Sequence, residues 1–328
     1  MSVSRRSFLI GTAALAPLLL APGISFAQDA IRENVTFASG ADRCAAWLYR
    51  PSADVSRKRP VVVMGHGLGC VKEMRLDAFA ARFAAAGYIV LAFDYRHFGA
   101  STGEPRQLLD IGLQHSDWHA AIAYARALPG VDPEAVALFG TSFSGGHVLE
   151  IAKADPRVAA VVSQCPFTDG AVSSMTLGLS APKALALAAE DLAQSSSGQG
   201  PVMIPLAGRP GEVALMNAAD VLDGYLALVP PGMAFTNAVH ARVAADIPLY
   251  FPGKAAAAVK APILFGVCDN DTVAPPVPTL EYARSAPAAT VRRYPVGHFD
   301  IYLGAAFEAA VADYVPFLLQ HVPPPKDA

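Results

Sequence analysis

Short apolar runs recur along this chain, each closed by a turn and separated by stretches of helical periodicity, and this alternation restricts the fold more than any other feature. The runs fall at residues 61–64, 88–93, 135–139, 158–162 and 262–267, and residues 290–294 complete the set. Runs this short suit strands buried on both faces, as in a parallel sheet covered by helices. Helical patterns lie at 77–86, 117–128, 146–154, 277–286 and 305–320. Gly87 stops the first, Ser116 stands where an N-cap of the second belongs, and Pro129-Gly130 stop that one. The pattern predicts an α/β architecture, a mostly parallel, doubly wound sheet with right-handed crossovers. Ahead of it, alternating stretches at 34–38 and 43–50 predict an antiparallel edge pair.

The alternation breaks once, between about residues 169 and 257. That stretch holds an Ala/Leu-rich helical pattern at 182–193, a Ser/Gly loop at 195–200 and several Pro-Gly turns, with no strand run like those flanking it. We expect an inserted, mainly helical cap over the carboxyl ends of the strands, carried by one domain spanning 28–328. With 328 residues, 53% of them hydrophobic, the chain can bury one large core plus a small accessory unit.

Residues 1–27 read as an export leader. Arg5-Arg6 precede an apolar run at 9–20, and Ser25-Phe26-Ala27 offer small residues for cleavage before Gln28. The run is shorter than the roughly 20 residues that span a bilayer, so no membrane span is expected in the mature protein. The paired arginines resemble a twin-arginine (Tat) signal, which implies a periplasmic or secreted protein exported already folded. The net charge of −3 becomes −5 once the two leader arginines are removed, because the leader has no Asp or Glu. A mildly acidic chain without a Lys/Arg block gives nucleic acid no footprint.

The four cysteines, Cys44, Cys70, Cys165 and Cys268, form no CxxC pair and no zinc-spaced cluster with histidine. Buried free thiols are expected, and neither metal nor cofactor.

The strongest chemical signal is Phe139-Gly140-Thr141-Ser142-Phe143-Ser144-Gly145-Gly146. A strand ends, small residues follow and a helix begins, the context a nucleophile elbow requires. Ser142 has Gly at −2 but Ser at +2, a departure from G-x-S-x-G, and Ser144 offers an alternative register. The shorter distance from the strand and Gly140 favour Ser142. Downstream, Asp269 and Asp271 follow one predicted strand, and Gly297-His298 follow the next. An acid and a histidine thus sit at the strand ends where open α/β sheets bind ligands.

With this order of Ser, acid and His, the chain resembles the α/β-hydrolase superfamily over nearly all of residues 30–322. The D-x-x-x-P pattern at Asp271 and Pro275 is similar to that family's acid loop and favours Asp271 over Asp269. The resemblance implies a triad in which His298 takes the Ser142 proton and Asp271 orients the imidazole. One oxyanion donor is expected at the Phe143 amide, immediately after the nucleophile. The other is expected in the Gly65-His66-Gly67-Leu68-Gly69 loop, where the resemblance points to the Leu68 amide. Among the remaining histidines, His66 is expected to be structural and His97 to lie in a solvent-facing turn. His115 and His119 share a helix face without a third metal ligand, and His147 is expected to pack in the elbow helix.

The elbow, together with Asp94-Tyr95-Arg96, Gly99, Ser101 and Gly103, most resembles the branch of X-Pro dipeptidyl-peptidases, acyl-ester hydrolases and polyketide transferases. Its peptidase members carry extra domains, for which the residues after 320 leave no room. The expectation is therefore a serine hydrolase, an esterase acting on a small-molecule carboxylic ester through an acyl-enzyme. A peptidase or acyltransferase using the same triad is the alternative, and a catalytically silent periplasmic binding protein on the same fold is the non-enzymatic one.

Overall fold

The computed structural model describes residues 30–51 and 57–325, so the leader expected at 1–27 lies outside the described residues. In chain order the strands are β1 (Ile31–Ser39), β2 (Asp42–Arg50), β3 (Arg59–Gly65), β4 (Ile89–Phe93), β5 (Val131–Thr141), β6 (Val158–Gln164), β7 (Met203–Pro205), β8 (Ala238–His240), β9 (Ile263–Cys268) and β10 (Ala289–Tyr294). Eight of them form one sheet in the order β1-β2-β4-β3-β5-β6-β9-β10. The β1–β2 and β2–β4 pairs are antiparallel and the rest of the sheet is parallel. Chain order reverses at β3, which lies between β4 and β5. Ligands of open α/β sheets bind outside the carboxyl ends of the strands at such a reversal.

Helices α1 (Leu76–Ala85), α2 (Ile111–Ala127) and α3 (Phe143–Ala154) connect the first half of the sheet. Between β6 and β9 lie α4 (Gly170–Met175), α5 (Ala181–Ser196), α6 (Val221–Leu226) and α7 (Val243–Asp246); α8 (Pro276–Ser285) and α9 (Gly304–His321) complete the chain. Helix α1 packs against α9 and α2 against α3. Strand β3 is buried along its whole length, as its run of apolar residues predicts. Phe79 of α1 meets Phe139 of β5 at 5.1 Å and Phe307 of α9 at 4.7 Å, tying helices to sheet through edge and tilted ring contacts. Strands β1 and β10 are the edges of the sheet, and Arg292 and Arg293 on β10 pair with Asp313 and Asp269 at 3.0 and 2.7 Å. Charges of this kind discourage edge-to-edge association.

Two local expectations need correction. Helix α2 begins at Ile111, where the Asp110 side chain accepts from the Leu113 amide at 2.8 Å. Ser116 is not an N-cap; it lies inside the helix and its hydroxyl donates back to the Gly112 carbonyl at 2.9 Å. Both residue types cap well, and the earlier one wins because it adds more than a turn of helix. In the segment between β6 and β9 the regular structure is mainly helical, and it also contains the antiparallel pair β7–β8. Three residues per strand, ending in Pro205, are too few to show an alternating pattern in sequence.

The motif Asp94-Tyr95-Arg96 with Gly99 and Ser101 is architectural. The Asp94 carboxylate accepts from the Lys72 amide, the Lys72 ammonium and the Ala100 amide at 2.7, 2.7 and 3.0 Å. Arg96 pairs with buried Asp117, and the Ser101 hydroxyl links the Asp94 carbonyl to the Ala45 amide. Gly99 has φ +51, and a side chain there would meet the Asp94 carboxylate. His97 follows the same logic and is buried, not solvent-facing. Its left-handed backbone (φ 70) lets its amide reach the Thr102 carbonyl at 2.8 Å, and Gly103 closes over the ring.

Candidate active site

Strand β5 ends at Thr141 and α3 begins at Phe143, so Ser142 alone makes the turn. Its φ of 57° and ψ of −118° lie in a region that L-residues adopt only under constraint. Hydrogen bonds supply that constraint. The Ser142 amide donates to the Gln164 carbonyl at 2.9 Å, and the Ser142 carbonyl accepts from the Phe167 amide at 2.9 Å. A Cβ at Gly140 would collide with the Ser144 carbonyl oxygen, and one at Gly146 with that of Phe167. The glycines flanking the serine are thus demanded by backbone packed against backbone.

The hydroxyl so presented meets His298. Ser142 Oγ lies 2.9 Å from His298 Nε2, and His298 Nδ1 lies 2.6 Å from Asp271 Oδ2. The second carboxylate oxygen, Asp271 Oδ1, accepts from the Val273 and Ala274 amides at 2.9 and 2.7 Å, which fixes the carboxylate plane. Nδ1–H donating to Asp271 leaves Nε2 free to accept the serine proton. Burial pushes the His298 imidazole down, but the Asp271 charge and hydrogen bond outweigh it and hold its pKa above the ordinary histidine value.

Neither alternative residue reaches this group. Ser144 is fully buried and hydrogen-bonded to the Tyr95 hydroxyl, which also accepts from Trp118 Nε1 at 2.7 Å. That partner explains the serine standing where the usual elbow has glycine. Asp269 accepts from Arg293 Nε at 2.7 Å on the surface.

The loop after β3 lies against the serine: a Cβ at Gly67 would be 3.0 Å from Ser142 Cβ and 3.3 Å from its Oγ. Leu68 and Phe143, the two expected oxyanion residues, both line a cavity with Ser142. His66 donates from Nδ1 to the Gly67 carbonyl at 3.1 Å, and burial lowers its pKa to about 4, so it is neutral and braces this loop.

Three groups near the site carry no signal in the sequence. The Tyr225 hydroxyl, from α6, donates to the Leu68 carbonyl at 2.8 Å and so ties the segment between β6 and β9 to that loop. Tyr302 meets Thr141 Oγ1 at 2.5 Å, directly before the serine. Tyr250 donates to His147 Nδ1 at 2.8 Å and accepts from His115 Nε2 at 2.9 Å, while His147 Nε2–H donates to Gln114 Oε1 at 2.9 Å. His115 is therefore part of a hydrogen-bonded network behind Phe143. Each of the tyrosine contacts joins residues more than 100 positions apart, and isolated tyrosines have no local spacing to read.

The cavity beside Ser142 has a volume of about 530 Å³. Its wall includes Phe143, Phe167, Leu177, Met216, Val221 and Ile247, and among the described residues no Asp, Glu, Lys, Arg or His lines it. Met175 and Leu185 line it while remaining exposed, placing apolar side chains at its rim. All four cysteines are buried free thiols. Among the described residues no helix is long and apolar enough to cross a membrane.

An eight-stranded, mostly parallel sheet with helices between its strands, and with a serine, an acid and a histidine meeting at its strand ends, is the fold of an α/β-hydrolase. The sequence profile of the X-Pro dipeptidyl-peptidase (S15) family matches residues 39–202, and the chain belongs to that family. Quorum-quenching protein AidA of Acinetobacter baumannii is 52% identical over 291 residues, covering 88% of this chain and 95% of AidA. DcsB, solved in complex with a substrate analogue, has the same fold with a TM-score of 0.77 at 23% identity, over 89% of this chain and 99% of that one. The α/β-hydrolase GrgF from Penicillium sp. sh18 superposes with a TM-score of 0.75 at 24% identity, over the same shares.

Proposed function

We propose that this hydrolase cleaves carboxylic esters, with Ser142 as nucleophile, His298 as general base and acid, and Asp271 as the group that orients the imidazole. The observation that carries the reading is the continuous hydrogen-bonded line from Asp271 Oδ2 through His298 to Ser142 Oγ. Ser142 Oγ bonds to the ester carbonyl carbon while its proton passes to His298 Nε2. The C–O bond to the alcohol then breaks, and His298 protonates the departing oxygen. Water repeats the sequence on the acyl-enzyme: its oxygen joins the carbon, its proton goes to His298, and Ser142 leaves with that proton. The Leu68 and Phe143 amides are the proposed oxyanion donors, each worth ~10²–10³ in turnover. These protein groups complete the chemistry without a cofactor.

The uncharged cavity wall favours esters over the family's X-Pro peptides, because the ammonium of a peptide N-terminus needs a carboxylate partner when desolvated. A small-molecule signal as the natural ester is in keeping with the quorum-quenching relative. A panel of alkyl esters beside matched amides tests the reading: the esters should turn over, and Ser142→Ala should abolish turnover. Preferential cleavage of X-Pro amides would reverse the assignment. We further infer export from Arg5-Arg6 and Ser25-Phe26-Ala27. N-terminal sequencing of periplasmic protein should start near Gln28, and intact Met1 in a membrane fraction would contradict it.

A further inference from the structure

Two spaces that border Ser142 are very unequal. The larger, of about 530 Å³, is walled mainly by apolar side chains from the loop after β3, α3, the segment between β6 and β9 and the loop after β9, with Ser173, Thr176, Asn217 and Thr272 among its uncharged polar lining. It falls within the ~300–1,000 Å³ of pockets that engulf most of a drug-sized ligand. The smaller, of about 10 Å³, lies between Leu68, Ser142, Tyr225, His298 and Tyr302. That is the room of about one water molecule. His298 borders the smaller space and not the larger one.

Proton transfer decides which part of an ester goes where. His298 must protonate the leaving oxygen and later deprotonate the attacking water, so both occupy the His298 side. The acyl chain takes the other side. We infer that the protein selects uncharged esters with a long, unbranched apolar acyl chain and a compact alcohol, the acyl chain filling the cavity over Phe143, Leu185 and Ile247, and water acting as the acyl acceptor. This rests on Ser142 and His298 acting as proposed above. An acetyl group leaves most of the cavity unfilled, whereas each further methylene removes apolar surface from water. The space that His298 lines gives a bulky acceptor, which an acyltransferase needs, far less room than the larger cavity gives an acyl chain.

The test uses the full chain with methyl esters from acetate to decanoate, and methyl, butyl and cyclohexyl esters of octanoate. On the acyl side kcat/KM should rise about fourfold per methylene up to at least octanoate, as burial of one CH₂ predicts. On the alcohol side it should fall at least tenfold from methyl to cyclohexyl. Ala244→Phe and Ile247→Trp both intrude on the cavity, and each should lower the octanoate-to-acetate ratio tenfold or more. Melting temperatures of both variants keep a folding defect apart from lost selectivity. A flat or falling acyl series, with Ser142-dependent turnover intact, overturns the inference and leaves the esterase reading standing. Cyclohexyl octanoate cleaved as fast as the methyl ester overturns the compact side, and an unchanged ratio in two well-folded variants overturns the cavity as the acyl site. If no ester turns over at all, the esterase reading and this inference fail together.

Discussion

The strand ends that hold Ser142, Asp271 and His298 and the segment between β6 and β9 that roofs them are built on different physics. In the first, position is set by directional contacts: Ser142 is pinned through its own amide and carbonyl, Asp271 by two backbone amides, and His298 between carboxylate and hydroxyl. In the second, the site-facing surface is apolar and several large side chains stay in solvent, Leu179 at 95% and Met175 at 71% exposure among them. Hydrogen bonds fix reacting atoms to fractions of an ångström, whereas hydrophobic contact is non-directional and tolerates exchange. The contrast implies that chemistry resides in the scaffold and selectivity in the roof. Variants of the scaffold should lose rate on every substrate, and variants of the roof should re-rank substrates.

Asp271→Asn should break the scaffold most visibly after loss of the serine itself, lowering turnover by up to ~10⁴ because the amide favours the wrong imidazole tautomer. It also carries a pH signature. His298 must be neutral to act as base, so kcat/KM should rise with pH through an inflection above the ordinary histidine value of about 6.5. Removing the Asp271 charge takes away the largest influence holding the imidazole pKa up, so that inflection should move down. An unmoved inflection would detach Asp271 from His298.

Tyr225→Phe sharpens the comparison, because it cuts the one hydrogen bond from α6 to the Leu68 carbonyl. Displacing the proposed oxyanion amide of Leu68 by a fraction of an ångström should cost about 10- to 100-fold in kcat, with KM for octanoate little changed. A pure KM effect would make Tyr225 a roof residue. Asp269→Asn should have the smallest effect. It removes an exposed ion pair with Arg293, worth about 0–1 kcal/mol of stability, and turnover should match wild type. A severe rate loss there, with the fold intact, would move the acid to position 269.

The same division governs what the sequence reveals. The parallel strands, the helices and the order Ser142, Asp271, His298 are legible because each is local: a short apolar run, a glycine-flanked turn, an acid or histidine just past a strand. On sequence the choice of Ser142 over Ser144 rests only on Gly140 and the distance from the strand, because the residues on both flanks are small; the Tyr95 hydroxyl that occupies Ser144 is 49 residues away. Ser116 misleads since two good caps, Asp110 and Ser116, precede the same apolar pattern. His97 misleads since polarity in a turn reads as exposure until the Asp94 loop is seen folding over it. Tyr225, Tyr250 and Tyr302 are silent because their partners come from distant elements, and the β7–β8 pair because it is too short to have a period.

Reaction with a fluorophosphonate probe shows whether Ser142 is the activated hydroxyl. Intact protein is labelled, digested and sequenced by fragmentation mass spectrometry, alongside Ser142→Ala and Ser144→Ala. One phosphonyl group per chain is expected, on Ser142, absent from Ser142→Ala and retained by Ser144→Ala. Label on Ser144, or a folded protein that takes no label at all, would contradict that role for Ser142; the second outcome is the one a silent binding protein would give.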